Sequence, residues 1–186
     1  MATGLALALN ASGAAEVAGV KFEDRIQLGG GELALNGAGL RTRAFFKVYA
    51  MGLYVPQKKS APAEVLDVKG AKRVHIVLLR DVGAETFADS LINGLKNNST
   101  ETEYAKLKDR AEQFRATILE LKEVAKGAVV DLDFLPDSGT RLSVSGQQRG
   151  KDIQGDDFYR GLLRIWLGEK PAQDDLKEAL LGKEGG

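Results

Sequence analysis

Basic and phenolic side chains are concentrated in one short stretch of this sequence. Arg41 and Arg43 precede a predicted strand over residues 45–55, and that strand itself carries Lys47 and Tyr49. Neither alternation face of the strand is purely polar, so we expect both faces to be covered, as in the middle of a sheet. A covered strand that still holds basic groups indicates the wall of a cleft in which those groups meet an anionic ligand.

The composition excludes several other kinds of chemistry. The 26 lysines and arginines balance the 26 aspartates and glutamates, and the sequence has no basic block, so nucleic acid is not an expected partner. The sequence has no cysteine, which excludes disulfides, thiolate metal sites and cysteine nucleophiles. Its only histidine, His75, lies in an apolar strand, where a structural role is favoured over catalysis. We therefore expect no metal and no cofactor.

The chain divides into a leader, one domain and a short tail. Residues 2–19 are small and mostly apolar, and residues 12–14 suit a signal peptidase, so residues 1–19 are interpreted as the remnant of a bacterial secretory signal. A disordered small-residue leader is the alternative. The leader is too short to span a bilayer, which takes about 20 apolar residues, so stable membrane insertion is not expected.

The signal interpretation predicts a periplasmic or secreted protein. Residues 20–182 are predicted to form one domain, and residues 183–186 a flexible tail.

Hydrophobic periodicity predicts an α+β domain, with a mainly antiparallel sheet and helices packed on one face. The predicted strands cover residues 20–28, 32–40, 45–55, 72–79, 128–135 and 140–145, and residues 41–43 are predicted to form a bend. The predicted helices cover residues 63–66, 81–98, 104–121, 155–169 and 174–181. Residues 100–103 supply cap groups for the third helix, and Asp156 or Asp157 is expected to cap the fourth.

The run Gly39-Leu40-Arg41, followed by KVYAMGLY at residues 47–54, resembles the signature region of the chalcone isomerase superfamily. This superfamily contains plant flavonoid isomerases, fatty-acid-binding proteins without isomerase activity, and many bacterial and fungal relatives. The resemblance extends over residues 20–182. It implies an open-faced β-sandwich, which agrees with the α+β fold predicted from the periodicity.

The resemblance also implies where a polar site would lie. The isomerase arginine falls on Arg41, the strand threonine on Tyr49, the helix tyrosine on Thr86 and the helix asparagine on Asn93. The hydroxyl residue before the Trp-Leu-Gly-Glu run falls on Ile165, which forms no side-chain hydrogen bond. Three of the five groups that would orient substrate oxygens are therefore replaced, so flavonoid cyclisation is not expected.

A tyrosine at position 49 resembles the fatty-acid-binding branch, in which this tyrosine and the arginine hold a carboxylate at the end of an apolar tunnel. We expect a monomeric, non-catalytic protein that binds a small amphipathic anion, with a fatty acid as the leading candidate. Arg41 and Tyr49 would hold the head group, with Arg43 and Asn93 in reserve. The connection between Arg41 and Tyr49 is shorter than in the plant proteins, so either arginine could face the cleft.

Two other functions stay open on the sequence. The first is an isomerase or lyase that acts on an enone or phenol, with Arg41 as the electrophilic group. The second is a ligand-free auxiliary protein whose would-be tunnel is filled by Phe45, Phe46 and Met51.

Overall fold

A computed structural model describes residues 14–183. The strands are β1 Ala15–Val17, β2 Val20–Phe22, β3 Arg25–Leu28, β4 Gly31–Arg43, β5 Phe46–Val55, β6 Lys72–Leu78, β7 Val82–Gly83, β8 Glu123–Val124, β9 Val129–Leu135, β10 Gly139–Val144 and β11 Gln147–Ile153. The helices are α1 Pro62–Asp67, α2 Ala84–Asn97, α3 Glu101–Leu119, α4 Asp156–Leu167 and α5 Asp174–Leu180. No helix in this range is long and apolar enough to cross a membrane.

Seven strands form one sheet in the order β11-β10-β9-β6-β5-β4-β3, and every neighbouring pair is antiparallel. Side chains from all five helices share a single hydrophobic core with one face of this sheet. The predicted α+β class, an antiparallel sheet with helices on one face, is therefore confirmed.

The opposite face is covered at its β3–β5 end by a hairpin of β1 and β2. Phe22 from this hairpin lies directly on Gly52 of β5, where an added Cβ would come within 2.7 Å of the ring. Strand β5 is therefore covered on both faces, as its alternation pattern predicts. The hairpin spans the predicted leader boundary at residue 19, while residues 1–13 of that leader and 184–186 of the predicted tail lie outside the described residues.

Several local predictions differ from the structure. Residues 20–28, predicted as one strand, form β2 and β3, which belong to different sheets. Residues 41–43, predicted as a bend, are the last residues of β4, because they pair with β5 up to a two-residue turn at Ala44 and Phe45. Strand β11 was not predicted, since its polar sequence has no apolar alternation and its pairing with β10 alone defines it. The N-cap of α4 is Gly155, with Asp156 and Asp157 in the first turn.

The predicted cap of α3 forms a complete capping box. The Thr100 hydroxyl accepts from the Glu103 backbone N–H at 3.1 Å, and the Glu103 carboxylate accepts from the Thr100 N–H at 2.9 Å. These two bonds satisfy donors that the first turn would otherwise leave open. Helix α3 then packs on α2, which forms one wall of the cleft described next.

Candidate functional site

A cleft of about 700 Å³ opens between α2 and the hairpin formed by β4 and β5. All six residues that the sequence suggested as a site line this cleft: Arg41, Arg43, Tyr49, Thr86, Asn93 and Ile165. Most of the other lining side chains are apolar, among them Phe46, Val48, Val82, Phe87, Leu91, Pro171 and Ala172. The volume and the mixture of apolar walls with a few polar groups are typical of a small-molecule site.

The register of the hairpin decides which arginine meets the tyrosine. Arg41 lies directly opposite Tyr49, while Arg43 lies opposite Phe46, next to the turn. Directly opposed residues in an antiparallel pair have Cα atoms about 4.5 to 5.5 Å apart, with side chains on the same face. The short connection therefore brings Arg41 and Tyr49 together instead of separating them. A bulge at Val48 places that side chain beside them on the cleft wall.

Arg41 is held by Gln173, the residue that immediately precedes α5. Its Nη1 donates to the Thr42 carbonyl at 3.0 Å and to Gln173 Oε1 at 3.2 Å. Gln173 also accepts from the Thr42 N–H at 2.8 Å and donates to the Leu40 carbonyl at 3.0 Å. Within residues 14–183, the Nε and Nη2 groups of Arg41 have no hydrogen-bond partner. The guanidinium is thus fixed in position while part of its fork stays available to an anion.

Gln173 precedes α5, and two glycines let this helix approach β4. A Cβ at Gly37 would lie 2.1 Å from the Ala179 carbonyl oxygen, and a Cβ at Gly39 would lie 2.8 Å from the Leu176 side chain. Sequence reasoning did not identify Gln173, because a glutamine before a short helix carries no signal of its own. The glycines of the Gly-Ala-Gly run in β4 are the only local signal of this close contact.

Tyr49 is buried, with 7% of its surface exposed, and its phenol oxygen accepts from Trp166 Nε1 at 2.9 Å. Its own O–H has no acceptor among the described residues, so it remains free to donate into the cleft. Burial raises the pKa of Tyr49, and the Trp166 hydrogen bond and the Arg41 charge offset this only in part. The phenol is therefore a neutral donor at neutral pH. The role of Trp166 in orienting it was not predicted from the sequence.

The other three suggested residues differ in their exposure and in their capacity to form hydrogen bonds. Thr86 and Asn93 lie seven residues apart on one side of α2, both are exposed, and neither side chain bonds to another described residue. Ile165, from α4, is 2% exposed and closes the floor of the cleft with alkyl groups. It packs on Gly94, where a Cβ would lie 2.8 Å from its Cγ2.

The cleft is not filled by the residues that the auxiliary-protein hypothesis requires. Phe45 is fully exposed (102%) at the hairpin turn, and Phe46 is 59% exposed at the rim. Met51 is buried in the main core and does not line the cleft. The space between α2 and the hairpin is therefore open.

His75 lies on the opposite face of the sheet, away from the cleft. Its Nδ1 is 2.6 Å from Asp131 Oδ1, beside a bidentate pair in which Arg73 donates to Asp133 at 2.7 Å. Burial raises the pKa of Asp133, although the Arg73 hydrogen bond opposes that shift. These side chains satisfy one another across β6 and β9, which agrees with the structural role expected for His75.

A second cavity, of about 620 Å³, lies at the other end of the sheet and contains Lys72. Only 5% of Lys72 is exposed, its Nζ lies 5.4 Å from the centre of the Phe134 ring, and no described carboxylate pairs with it. Burial lowers the pKa of Lys72 to about 8, and the charges of Arg160 and Lys69 add to this effect against the opposing charge of Asp156.

Comparison with known proteins agrees with the fold. Among solved structures, a fatty-acid binding protein of Arabidopsis thaliana is similar with a TM-score of 0.66 and 16% sequence identity, over 88% of this chain and 92% of that chain. At that identity, the likeness shows the fold alone. No curated protein matches the sequence. A family model described as chalcone isomerase-like matches residues 14–182. Because this match covers almost all of the described chain, the protein belongs to the chalcone isomerase-like family.

Proposed function

We propose that the cleft binds a small amphipathic anion, a fatty acid being the leading candidate, and that it holds this ligand without converting it. The observation that carries the proposal is the cross-strand pair of Arg41 and Tyr49, which lines a mainly apolar cleft. Both side chains are fixed by neighbours, and both keep donors that no described residue occupies.

The donor set fits a carboxylate. A guanidinium offers two parallel N–H groups, and the Tyr49 O–H adds a third donor from the neighbouring strand. Since Trp166 already supplies a hydrogen bond to the phenol oxygen, the most favourable use of the Tyr49 proton is donation to a ligand. The positive charge of Arg41 favours an anion over a neutral head group.

The remaining walls fit an aliphatic tail. Phe87, Leu91 and Ile165 present carbon surface along the cleft, and each buried CH₂ group contributes about 0.8 kcal/mol. The similar Arabidopsis protein is a fatty-acid binding protein, which supports this ligand class. Ile165 stands where the resemblance to the isomerases requires a hydroxyl, which favours holding a ligand over flavonoid cyclisation.

The first test of the proposal is whether the purified protein retains an acyl ligand from the expression host. The full chain, freshly purified without detergent, would be denatured and extracted, and the extract analysed by mass spectrometry for acyl acids. The emptied protein would then be titrated with decanoic acid and followed by thermal unfolding.

We expect an acyl acid in the extract and an upward shift in Tm that Arg41→Gln abolishes. Arg43→Gln is the matched control, because Arg43 lies next to the turn and not opposite Tyr49; it should keep most of the shift. If no acid is extracted and no added acid raises Tm, the cleft does not bind this class of ligand.

A further inference from the structure

We propose that the tip of the β4–β5 hairpin docks on anionic lipid bilayers. The hairpin tip is defined here as residues 43–47 together with Arg80, whose side chain lies beside them. This proposal goes beyond ligand binding in the cleft and does not depend on it.

The apolar part of the tip consists of two adjacent aromatic rings. Phe45 is 102% exposed and Phe46 is 59% exposed, and within residues 14–183 no other large hydrophobic side chain is exposed. Aromatic rings on a projecting element are favoured at the level of the lipid head groups, where the ring enters the boundary of the acyl region. In water, both rings stay largely exposed.

The charged part of the tip is positive on both sides of the hairpin. Arg43, Lys47 and Arg80 are all exposed, and none forms an ion pair within the described part of the chain. The Arg80 guanidinium lies 4.4 Å from the centre of the Phe46 ring, so one cation is held next to an aromatic group. The adjacent Asp81 carboxylate accepts one hydrogen bond, from the Lys126 N–H at 2.7 Å, so three cationic side chains stand against one acidic side chain at and beside the tip.

This clustering is local, because the whole chain carries equal numbers of acidic and basic residues. Unpaired cations around exposed aromatic rings match an anionic membrane surface, where each Lys or Arg raises partitioning by about five-fold. A protein partner is less well matched, because the exposed apolar surface is limited to two side chains on a narrow tip, whereas a stable protein interface buries about 800 Å² on each side.

The tip also lies at the mouth of the cleft. Arg43, Phe46 and Arg80 belong to both the tip and the cleft lining. Docking by the tip would therefore place the cleft entrance against the lipid head groups.

Vesicle flotation of the full chain tests the proposal. Vesicles of phosphatidylcholine alone would be compared with vesicles containing about 30% phosphatidylglycerol. We expect binding to the anionic vesicles only, with release at high salt. Phe45→Ser should lower partitioning about ten-fold and Arg80→Glu at least five-fold, whereas Lys108→Glu, an equal charge reversal on the exposed side of α3, should leave it unchanged.

A reporter variant shows whether the tip itself enters the lipid. Phe45→Trp places a fluorophore at the turn, and the only native tryptophan, Trp166, is 1% exposed. We expect a blue shift and quenching by brominated lipids in anionic vesicles. Arg41→Gln should bind anionic vesicles as the wild type does. A loss of fatty-acid binding can then be distinguished from a loss of membrane docking. Equal binding to neutral vesicles, no effect of Phe45→Ser, or an unquenched reporter would overturn the proposal.

Discussion

Two hydrogen bonds decide which donors face the cleft. Trp166 donates to the Tyr49 oxygen, and Gln173 accepts from Arg41 Nη1, while the Tyr49 O–H and the Arg41 Nε and Nη2 groups have no partner among the described residues. Such support fixes a binding group before the ligand arrives, which reduces the ordering cost of binding. The same bonds make Trp166 and Gln173 supporting residues of the proposed site, although neither would need to touch the ligand.

Removal of the indole donor tests this role of Trp166. Trp166→Phe leaves the buried Tyr49 oxygen without a partner and should lower the free energy of unfolding by about 1 to 3 kcal/mol. Tyr49→Phe removes the oxygen, so the double variant should be less destabilised than the sum of the two single variants. Urea unfolding of all four proteins measures the coupling. Strict additivity would show that the 2.9 Å contact has no energetic role.

The protonation state of the Tyr49 phenol provides a second test at the level of single residues. Because burial raises the pKa of Tyr49, this side chain should stay protonated between pH 6 and pH 9. Affinity for a fatty acid should therefore show no step from tyrosine ionisation over that range, when measured above the pKa of the acid. A fall in affinity near pH 8 that Tyr49→Phe removes would mean that the phenol is ionised there.

At the scale of elements, the position of Arg41 depends on where β4 ends and how α5 packs on it. The Phe45–Val55 alternation predicted β5 well, because burial on both faces leaves an apolar pattern. The continuation of β4 through Arg41 was missed, since basic residues near a turn resemble a bend and only pairing with β5 makes them a strand. The six suggested site residues do lie around one cleft, whereas Trp166 and Gln173 act through contacts more than 100 residues away in sequence.

The contact between β4 and α5 can be disturbed by one methyl group. In Gly37→Ala, the new Cβ would meet the Ala179 carbonyl at 2.1 Å, so the helix must shift. We expect a loss of about 2 to 4 kcal/mol in the free energy of unfolding and weaker fatty-acid binding, because Gln173 moves with α5. Gly31→Ala is the control, since its Cβ would meet nothing closer than 4.0 Å. Urea unfolding and a titration with a fatty acid should distinguish the two variants.

At the scale of the whole molecule, two of the cavities lie at opposite ends of the sheet and differ in character. The cleft at the hairpin joins apolar walls to arginine donors, whereas the cavity at the other end contains the unpaired Lys72. A buried cation without a partner destabilises the folded state whenever it is protonated. Lys72 therefore lowers the stability of the folded state, and the proposed binding site at the other end of the sheet does not involve it.

The loss of stability caused by Lys72 depends on pH. The pKa of Lys72 is about 8 in the folded protein and near 10.5 in the unfolded chain, so the unfolded state binds more protons between these values and stability rises with pH there. Lys72→Met should raise the free energy of unfolding at pH 7 by about 1 to 2 kcal/mol. The gain should shrink between pH 8 and pH 10.5. A destabilised variant at pH 7, or a gain independent of pH, would mean that the lysine is not held as an unpaired charge.

In the proposed function, Arg41 and Tyr49 select an anionic head group in the cleft. Calorimetric titration with decanoic acid and with 1-decanol tests it most directly, because the two ligands share a tail and differ only at the head. We predict that the wild-type chain binds the acid at one site at least ten-fold more tightly than the alcohol, and that Arg41→Gln removes most of this difference. Equal affinity for acid and alcohol, or a preference that survives in Arg41→Gln, would contradict the assignment.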